Sequence, residues 1–132
     1  MKKLFALALI FSACATGQIN IPESLNPSEI IQRAQEASDK NRYNHALQYY
    51  QALLDRNSTN IDLVCAAEYE IAFIHYKQKK YSQARMGFNA LLDRYNAYDD
   101  GYLPPQFKLL ALKVLERIDE KEKPRSFFSR RS

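Results

Sequence analysis

Four side chains are of types that could carry covalent or acid–base chemistry near neutral pH: the thiols of Cys14 and Cys65 and the imidazoles of His45 and His75. A thiolate is a nucleophile and a soft metal ligand, and an imidazole exchanges protons near neutrality. Within the body of the chain their spacing supports neither use. Neither histidine has a carboxylate or a cysteine at motif spacing, and no His or Cys neighbours Cys65 at ligand spacing. Cys65 stands beside Ala66 and Ala67 and reads as a small buried hydrophobe, His75 reads as a core side chain and His45 as exposed. No H-E-x-x-H, G-x-S-x-G or glycine-rich phosphate loop occurs. The adjacent acids Asp99 and Asp100 precede Gly101 and read as turn residues. The chain is therefore expected to be no enzyme. It should hold no metal and no cofactor, take no small-molecule substrate, and work by binding.

Cys14 is different because of what precedes it. Residues 1–13, MKKLFALALIFSA, place two lysines before an apolar run that stops at small residues. Those are the n-region and h-region of a secretory signal peptide. The run falls far short of the ~20 apolar residues that a membrane-spanning helix needs, and it has no polar face to suit a surface helix. The stretch Phe11-Ser12-Ala13-Cys14 resembles the lipobox of bacterial lipoproteins, in which the cysteine is acylated and becomes the new N-terminus. Ser12, Ala13 and Cys14 match that pattern; Phe11 departs from the usual Leu, as in the looser lipoboxes of spirochaetes and some other bacteria. The resemblance implies lipidation at Cys14, a membrane anchor and a place in the bacterial cell envelope. Ala13-Cys14-Ala15 also satisfies the small-x-small rule of ordinary cleavage, which would release a soluble secreted or periplasmic chain. Residues 14–25 contain Gly17 and Pro22 and lack helical periodicity. They read as the modified N-terminus and a flexible tether, about a dozen residues that reach at most ~40 Å.

Composition bounds the rest. With 132 residues, of which 46% are hydrophobic, the chain can bury the core of one small domain. Its 3 glycines and 5 prolines are too few for the turns of an all-β fold, so helices are expected. The formal charge is +4, but Lys2 and Lys3 lie in the leader and the segment from Lys121 onward is strongly basic, which leaves a slightly acidic body. That distribution does not resemble a nucleic-acid-binding domain, whose basic residues line a face. Residues 122–132 are expected to be a disordered basic tail, solvated or in touch with anionic lipid.

Between the two ends, residues 26–121 read as five helices. Asn26-Pro27-Ser28-Glu29 combines an N-cap, a first-position proline and a capping-box acid. A thin stripe of Ile30, Ile31, Ala34 and Ala37 follows. A break at Asp39-Lys40-Asn41 precedes a second helix over about 43–57, which would bury Ala46, Leu47, Tyr50, Leu53 and Leu54. The loop Asn57-Ser58-Thr59-Asn60, which includes a glycosylation sequon, leads to a third helix over about 61–78. The fourth is expected over 82–95. After a turn-rich stretch, the fifth runs over about 105–121 with Phe107, Leu110, Ala111, Val114, Leu115 and Ile118 on one broad face.

The second and fourth helices repeat each other without gaps. Tyr43 to Arg56 aligns with Tyr81 to Arg94, and both segments end in Ala-Leu-Leu-Asp-Arg. This pattern resembles the tetratricopeptide repeat (TPR), a 34-residue helix–turn–helix unit. Ile71, Ala72 and His75 fall at the family's core positions of helix A, and Tyr81, Ala84, Phe88 and Leu91 at those of the turn and helix B. Arg33 and Glu68 stand where the family has apolar residues. The resemblance covers about 27–118 and implies two TPR-like units plus a C-terminal capping helix, an all-α short solenoid. Ala34, Ala46, Ala72 and Ala84 would lie where helices cross closely.

Proteins of that family bind peptides or helices in the groove lined by their A helices. Carried onto this sequence, the groove positions are Tyr69, Phe73, Tyr76 and Lys77 of the second unit and Ile31, Gln35, Ser38 and Asp39 of the first. The resemblance thus implies a protein partner and an adaptor or scaffold role in the envelope. The alternative is a structural subunit of an envelope transport or outer-membrane assembly complex. The fifth helix could instead cover the aromatic positions.

Overall fold

The computed structural model describes residues 17–124. It is all-α: α1 (Pro27–Asp39), α2 (Tyr43–Arg56), α3 (Ile61–Lys77), α4 (Tyr81–Ala97) and α5 (Pro105–Glu122), with no strand among the described residues. The leader, Cys14 and the tail beyond Pro124 lie outside them.

Local chemistry sets the boundaries. The Asn26 side chain accepts from the Glu29 N–H at 3.0 Å, and the Glu29 carboxylate accepts from the Asn26 N–H at 2.8 Å. This reciprocal capping box satisfies two backbone donors that the first turn leaves free. Asn60 caps α3 by accepting from the Leu63 N–H at 3.3 Å. Helices α2 and α4 have no side-chain cap. Their entry is fixed instead by a shared turn. Asn41 (φ 57°) and Lys79 (φ 59°) both take the left-handed conformation. Asn41 and Arg42 donate back to the Ser38 and Ala37 carbonyls at 3.0 and 2.8 Å; Lys79 and Lys80 donate to those of Tyr76 and His75, both at 2.9 Å. The repeat in sequence is thus a repeat in backbone geometry, at the same offset.

Two antiparallel hairpins, α1–α2 and α3–α4, pack side by side through α2 and α3, and α5 lies across α4 and α3. The first core gathers Ile30, Ala34, Ala37, Ala46, Tyr50 and Leu53 around Ala67 and Ile74 of α3. The second gathers Cys65, Tyr69, Ala72, Ala84, Phe88 and Leu91 with Leu103 and the α5 residues Ala111, Val114 and Ile118. Helix α3 serves both cores, which is why its sequence is apolar nearly all round. The four crossing alanines, Ala34, Ala46, Ala72 and Ala84, are fully buried.

Several expectations need correction. The expected core stripe of α3 is rotated: Ile74 and Ala72 are buried, whereas Ile71 and His75 are only half-buried beside α2. The fifth helix buries Ala111, Val114 and Ile118, but Leu110 is 39% exposed, because the stripe that reaches α3 and α4 is narrower than the apolar face. His45 is half-buried rather than exposed.

The tether is the largest departure. Residues 17–25 are non-helical but do not stand free of the domain. Ile19 donates to the Gln48 side chain and Gln48 donates to the Gly17 carbonyl, both at 3.0 Å. The Arg56 guanidinium donates to the Ile21 and Pro22 carbonyls at 2.8 and 2.9 Å. The segment is a strap along α2, held by backbone groups that a solvated tether would have offered to water.

Candidate functional site

The side chains expected to line a groove divide into a covered part and an accessible part. Tyr69 is buried, at 7% exposure. Its ring lies 5.7 Å from Phe88 of α4 and 5.8 Å from Phe107 of α5. Tyr69 is therefore core rather than groove: α5 lies over it, and Phe107 closes the contact. Burial pushes the Tyr69 hydroxyl up to about 12.

From Tyr69 the rings continue outward. Tyr69 stacks on Phe73 at 5.8 Å, Phe73 on Tyr76 at 5.8 Å, and Tyr76 meets Tyr81 at 6.0 Å in a tilted pair. Tyr69, Phe73 and Tyr76 follow one another because they stand three or four residues apart on α3, so each leans on the next turn, and Tyr81 joins them from the start of α4. Phe73 and Tyr76 are half-buried and Lys77 is exposed. The ladder thus begins in the core and ends at solvent.

Lys77 joins the two hairpins. Its ammonium donates to the Ser38 hydroxyl at 3.0 Å and sits 5.3 Å from the centre of the Phe73 ring. The second contact is within cation–π range. Of the residues expected on α1, the structure brings Ser38 to Lys77. Ile31 is half-buried against the first core, while Gln35 and Asp39 are exposed and make no side-chain hydrogen bond among the described residues.

Glu70 belongs to the same face and was missed by the sequence reasoning. One turn before Phe73 and two before Lys77, it is half-buried. Burial raises its carboxyl above the usual carboxylate range, and the charge of Lys77 opposes that rise. The i, i+3, i+7 spacing of Glu70, Phe73 and Lys77 was the available signal. The face can offer a partner two half-exposed aromatic rings, one cation and one carboxylate. Among the described residues, no group of three His, Cys, Asp or Glu side chains could hold a metal ion.

Glu68 accepts two hydrogen bonds from Arg94 at 2.9 and 2.5 Å. This forked ion pair ties α3 to α4. No helix among the described residues is long and apolar enough to cross a membrane.

No family model matches the chain, and no solved structure matches it. Over 120 residues it is 35% identical to an uncharacterized protein of Treponema pallidum (strain Nichols), an alignment that covers 88% of this chain and 48% of that protein, so the chain spans about half the length of its relative.

Proposed function

We propose that this chain is a lipid-anchored, TPR-like adaptor of the bacterial cell envelope, which binds a peptide or helix of a protein partner on the face where α1 and α3 meet. The observation that carries the reading is the aromatic ladder on α3, which leaves the core at Tyr69 and reaches solvent at Phe73, Tyr76 and Lys77. Half-exposed aromatic rings beside a cation offer large contact area at low entropic cost, as anchor residues of interfaces do. The matching backbone turns at Asn41 and Lys79 support two TPR-like units. The lipobox-like Phe11-Ser12-Ala13-Cys14 and a bacterial relative support an envelope setting.

The test is capture from detergent-solubilised envelope with the double variant Phe73→Ser/Tyr76→Ser. Tyr69 is left intact because it is core. Loss of a partner that the wild type retains, with unchanged circular dichroism, is expected; undiminished capture would move the interface elsewhere. Incorporation of labelled fatty acid, abolished by Cys14→Ser, tests the anchor separately.

A second reading, a structural subunit of a larger envelope assembly, is favoured by the outer side of α5. Leu109 and Leu112 there are 56% and 48% exposed. A stoichiometric complex that survives Phe73→Ser/Tyr76→Ser and is lost with Leu109→Lys/Leu112→Lys would select it.

A further inference from the structure

The charges of the domain are sorted between its two ends. Helices α1, α3 and α5 all finish at one end, where the hairpin turns lie: Lys77 touches Ser38, Gln78 shares a groove with Asn41 to His45, and Arg85 near the start of α4 binds Asp119 and Glu122 of α5 at 2.8 and 2.6 Å. Exposed at this turn edge are Lys40, Arg42, Lys79, Lys80, Lys121 and Lys123. Its carboxylates are fewer: Asp119 and Glu122 are held by Arg85, leaving Glu36, Asp39 and Glu120. At the opposite edge stand Glu23, Glu29, Asp55, Asp62, Asp93 and Asp99, all exposed. The arginines there are engaged, Arg56 with the strap and Arg94 with Glu68, and Lys108 is the remaining cation among the described residues.

The basic edge also carries a concavity of about 260 Å³ between α1 and α2, lined by Arg33, Glu36, Lys40, Arg42, His45 and Tyr49. Arg33, Lys40 and Arg42 make no salt bridge among the described residues. Basic residues at helix C-termini are favoured by the helix dipole, but Arg42 and Lys80 precede helices, where that dipole disfavours them. Capping does not explain the whole set.

The strap adds direction. It runs along α2 from Gly17 at the turn edge, where an added Cβ would lie 3.9 Å from His45 Nε2, to Glu23 at the far edge beside Arg56. Cys14 is three residues before Gly17, within ~10 Å of chain. A lipid on Cys14 would therefore leave the domain at its basic edge.

From this juxtaposition we infer that the turn edge is a membrane-facing surface, on which Lys40, Arg42, Lys79 and Lys80 contact the anionic headgroups of phospholipids, and that the strap sets this orientation. The acidic edge then points away from the bilayer, and the α1/α3 face, which ends at Lys77 and Ser38 on the turn edge, stands at the side, open to a partner. Each basic residue close to an anionic surface raises affinity roughly fivefold, and the effect fades beyond the screening length of ~10 Å at 0.1 M salt. The role of Cys14 rests on the anchored reading above; the charge-driven contact does not.

The test is sedimentation of the full chain, as wild type and as Cys14→Ser, with vesicles of phosphatidylcholine alone or with about a third phosphatidylglycerol. Both forms are expected to prefer anionic vesicles by on the order of tenfold or more at low salt, and to lose the preference as salt rises. The variant Lys40→Glu/Arg42→Glu/Lys79→Glu/Lys80→Glu should abolish it. Should that variant fail to fold by circular dichroism, its two halves, Lys40→Glu/Arg42→Glu and Lys79→Glu/Lys80→Glu, should each weaken it severalfold. Asp55→Lys/Asp93→Lys, which changes net charge at the other edge, should leave it unchanged. A preference that survives the turn-edge changes, or that rises with the Asp changes as steeply as it should fall with the Lys and Arg ones, overturns the proposal. So does retention on heparin without any vesicle preference. Absence of fatty-acid label with the preference intact removes the anchor and keeps the edge; label without the preference does the reverse.

Discussion

Ala72 on α3 and Gly87 on α4 meet backbone to backbone: a Cβ added to Gly87 would lie 2.8 Å from the Ala72 Cβ and 3.4 Å from its Cα. Neither atom belongs to a flexible side chain, so only a shift of one helix could relieve the clash. Gly87→Ala gains about 1 kcal/mol of helix propensity, and overpacking a close crossing costs ~1–3 kcal/mol. We expect Gly87→Ala to lower the melting temperature in spite of the propensity gain. Ala72→Leu should lower it further, with each kcal/mol worth about 4–8 °C in a domain of this size. A thermal melt in which Gly87→Ala gains stability would show that α4 can slide at no cost.

The fork between Arg94 and Glu68 joins α3 to α4, with side chains 32% and 25% exposed. Charged hydrogen bonds at such partly covered positions contribute about 1–2 kcal/mol after solvent screening. Arg94→Met should destabilise by that order and leave Glu68 unpaired. Adding Glu68→Met should recover part of the loss, because the double variant puts an apolar contact where the charged fork stood. Chemical denaturation of both single variants and the double gives the coupling, expected at ~1 kcal/mol. Strict additivity would show that the two charges contribute independently.

How far this arrangement is legible in sequence depends on whether its causes are local. Asn26 and Glu29 announce the start of α1, and Asn60 that of α3, since a cap is a matter of three or four neighbouring residues. The turns at Asn41 and Lys79 are implied by the 38-residue offset, although neither residue is glycine. The fate of Tyr69 is not legible. A helix with aromatics on two faces shows that both have something to bury, but Phe107, far along the chain, decides which is covered. The strap is hidden for another reason. Arg56 grips the carbonyls of Ile21 and Pro22, and backbone acceptors leave no mark in side-chain identity.

Glu70 links stability to pH. Burial raises its carboxyl in the folded state, so the folded chain holds the proton more tightly than the unfolded one. That contribution is fully present below the ordinary carboxylate value and is lost as pH rises through the raised one. At neutral pH the ionised form is the less stable, so Glu70→Gln should raise the melting temperature at pH 7. The advantage should shrink to nothing as pH falls below the usual carboxylate range. Melts across that window check the sign. A variant less stable at pH 7 would mean that the attraction of Lys77 outweighs burial.

Cys65 is fully buried, and burial, with Glu68 nearby, pushes its thiol up. A thiol that is both inaccessible and reluctant to ionise reacts only when the surrounding helices open. In the Cys14→Ser chain, alkylation should be slow under native conditions and become complete in denaturant, tracking unfolding followed by circular dichroism. Fast native labelling would reveal a local opening between α3 and α4 that leaves the rest of the fold intact.

Arg56 fastens the strap to α2. Its guanidinium bonds two consecutive carbonyls, at Ile21 and Pro22, and lies 3.3 Å from the Glu23 carboxylate, itself exposed. The carboxylate contact is a surface pair of little consequence. The carbonyl contacts matter more, because without them the strap's only other polar hold on α2 among the described residues is Gln48, at Gly17 and Ile19. Arg56→Ala should therefore release residues 20–25 while the hairpins keep their stability to within ~0.5–1 kcal/mol, the usual size of a change outside a core. Hydrogen exchange should quicken at the Leu25 amide, which donates to the Pro22 carbonyl at 3.3 Å, and protease should cut within 20–25 well before the helices. Gln48→Ala should act at the same segment from its other end, and the two changes together should free it wholly. If exchange and cleavage stayed at wild-type rates in the double variant, the apolar side chains Ile21 and Leu25, both half-buried, would be holding the strap instead.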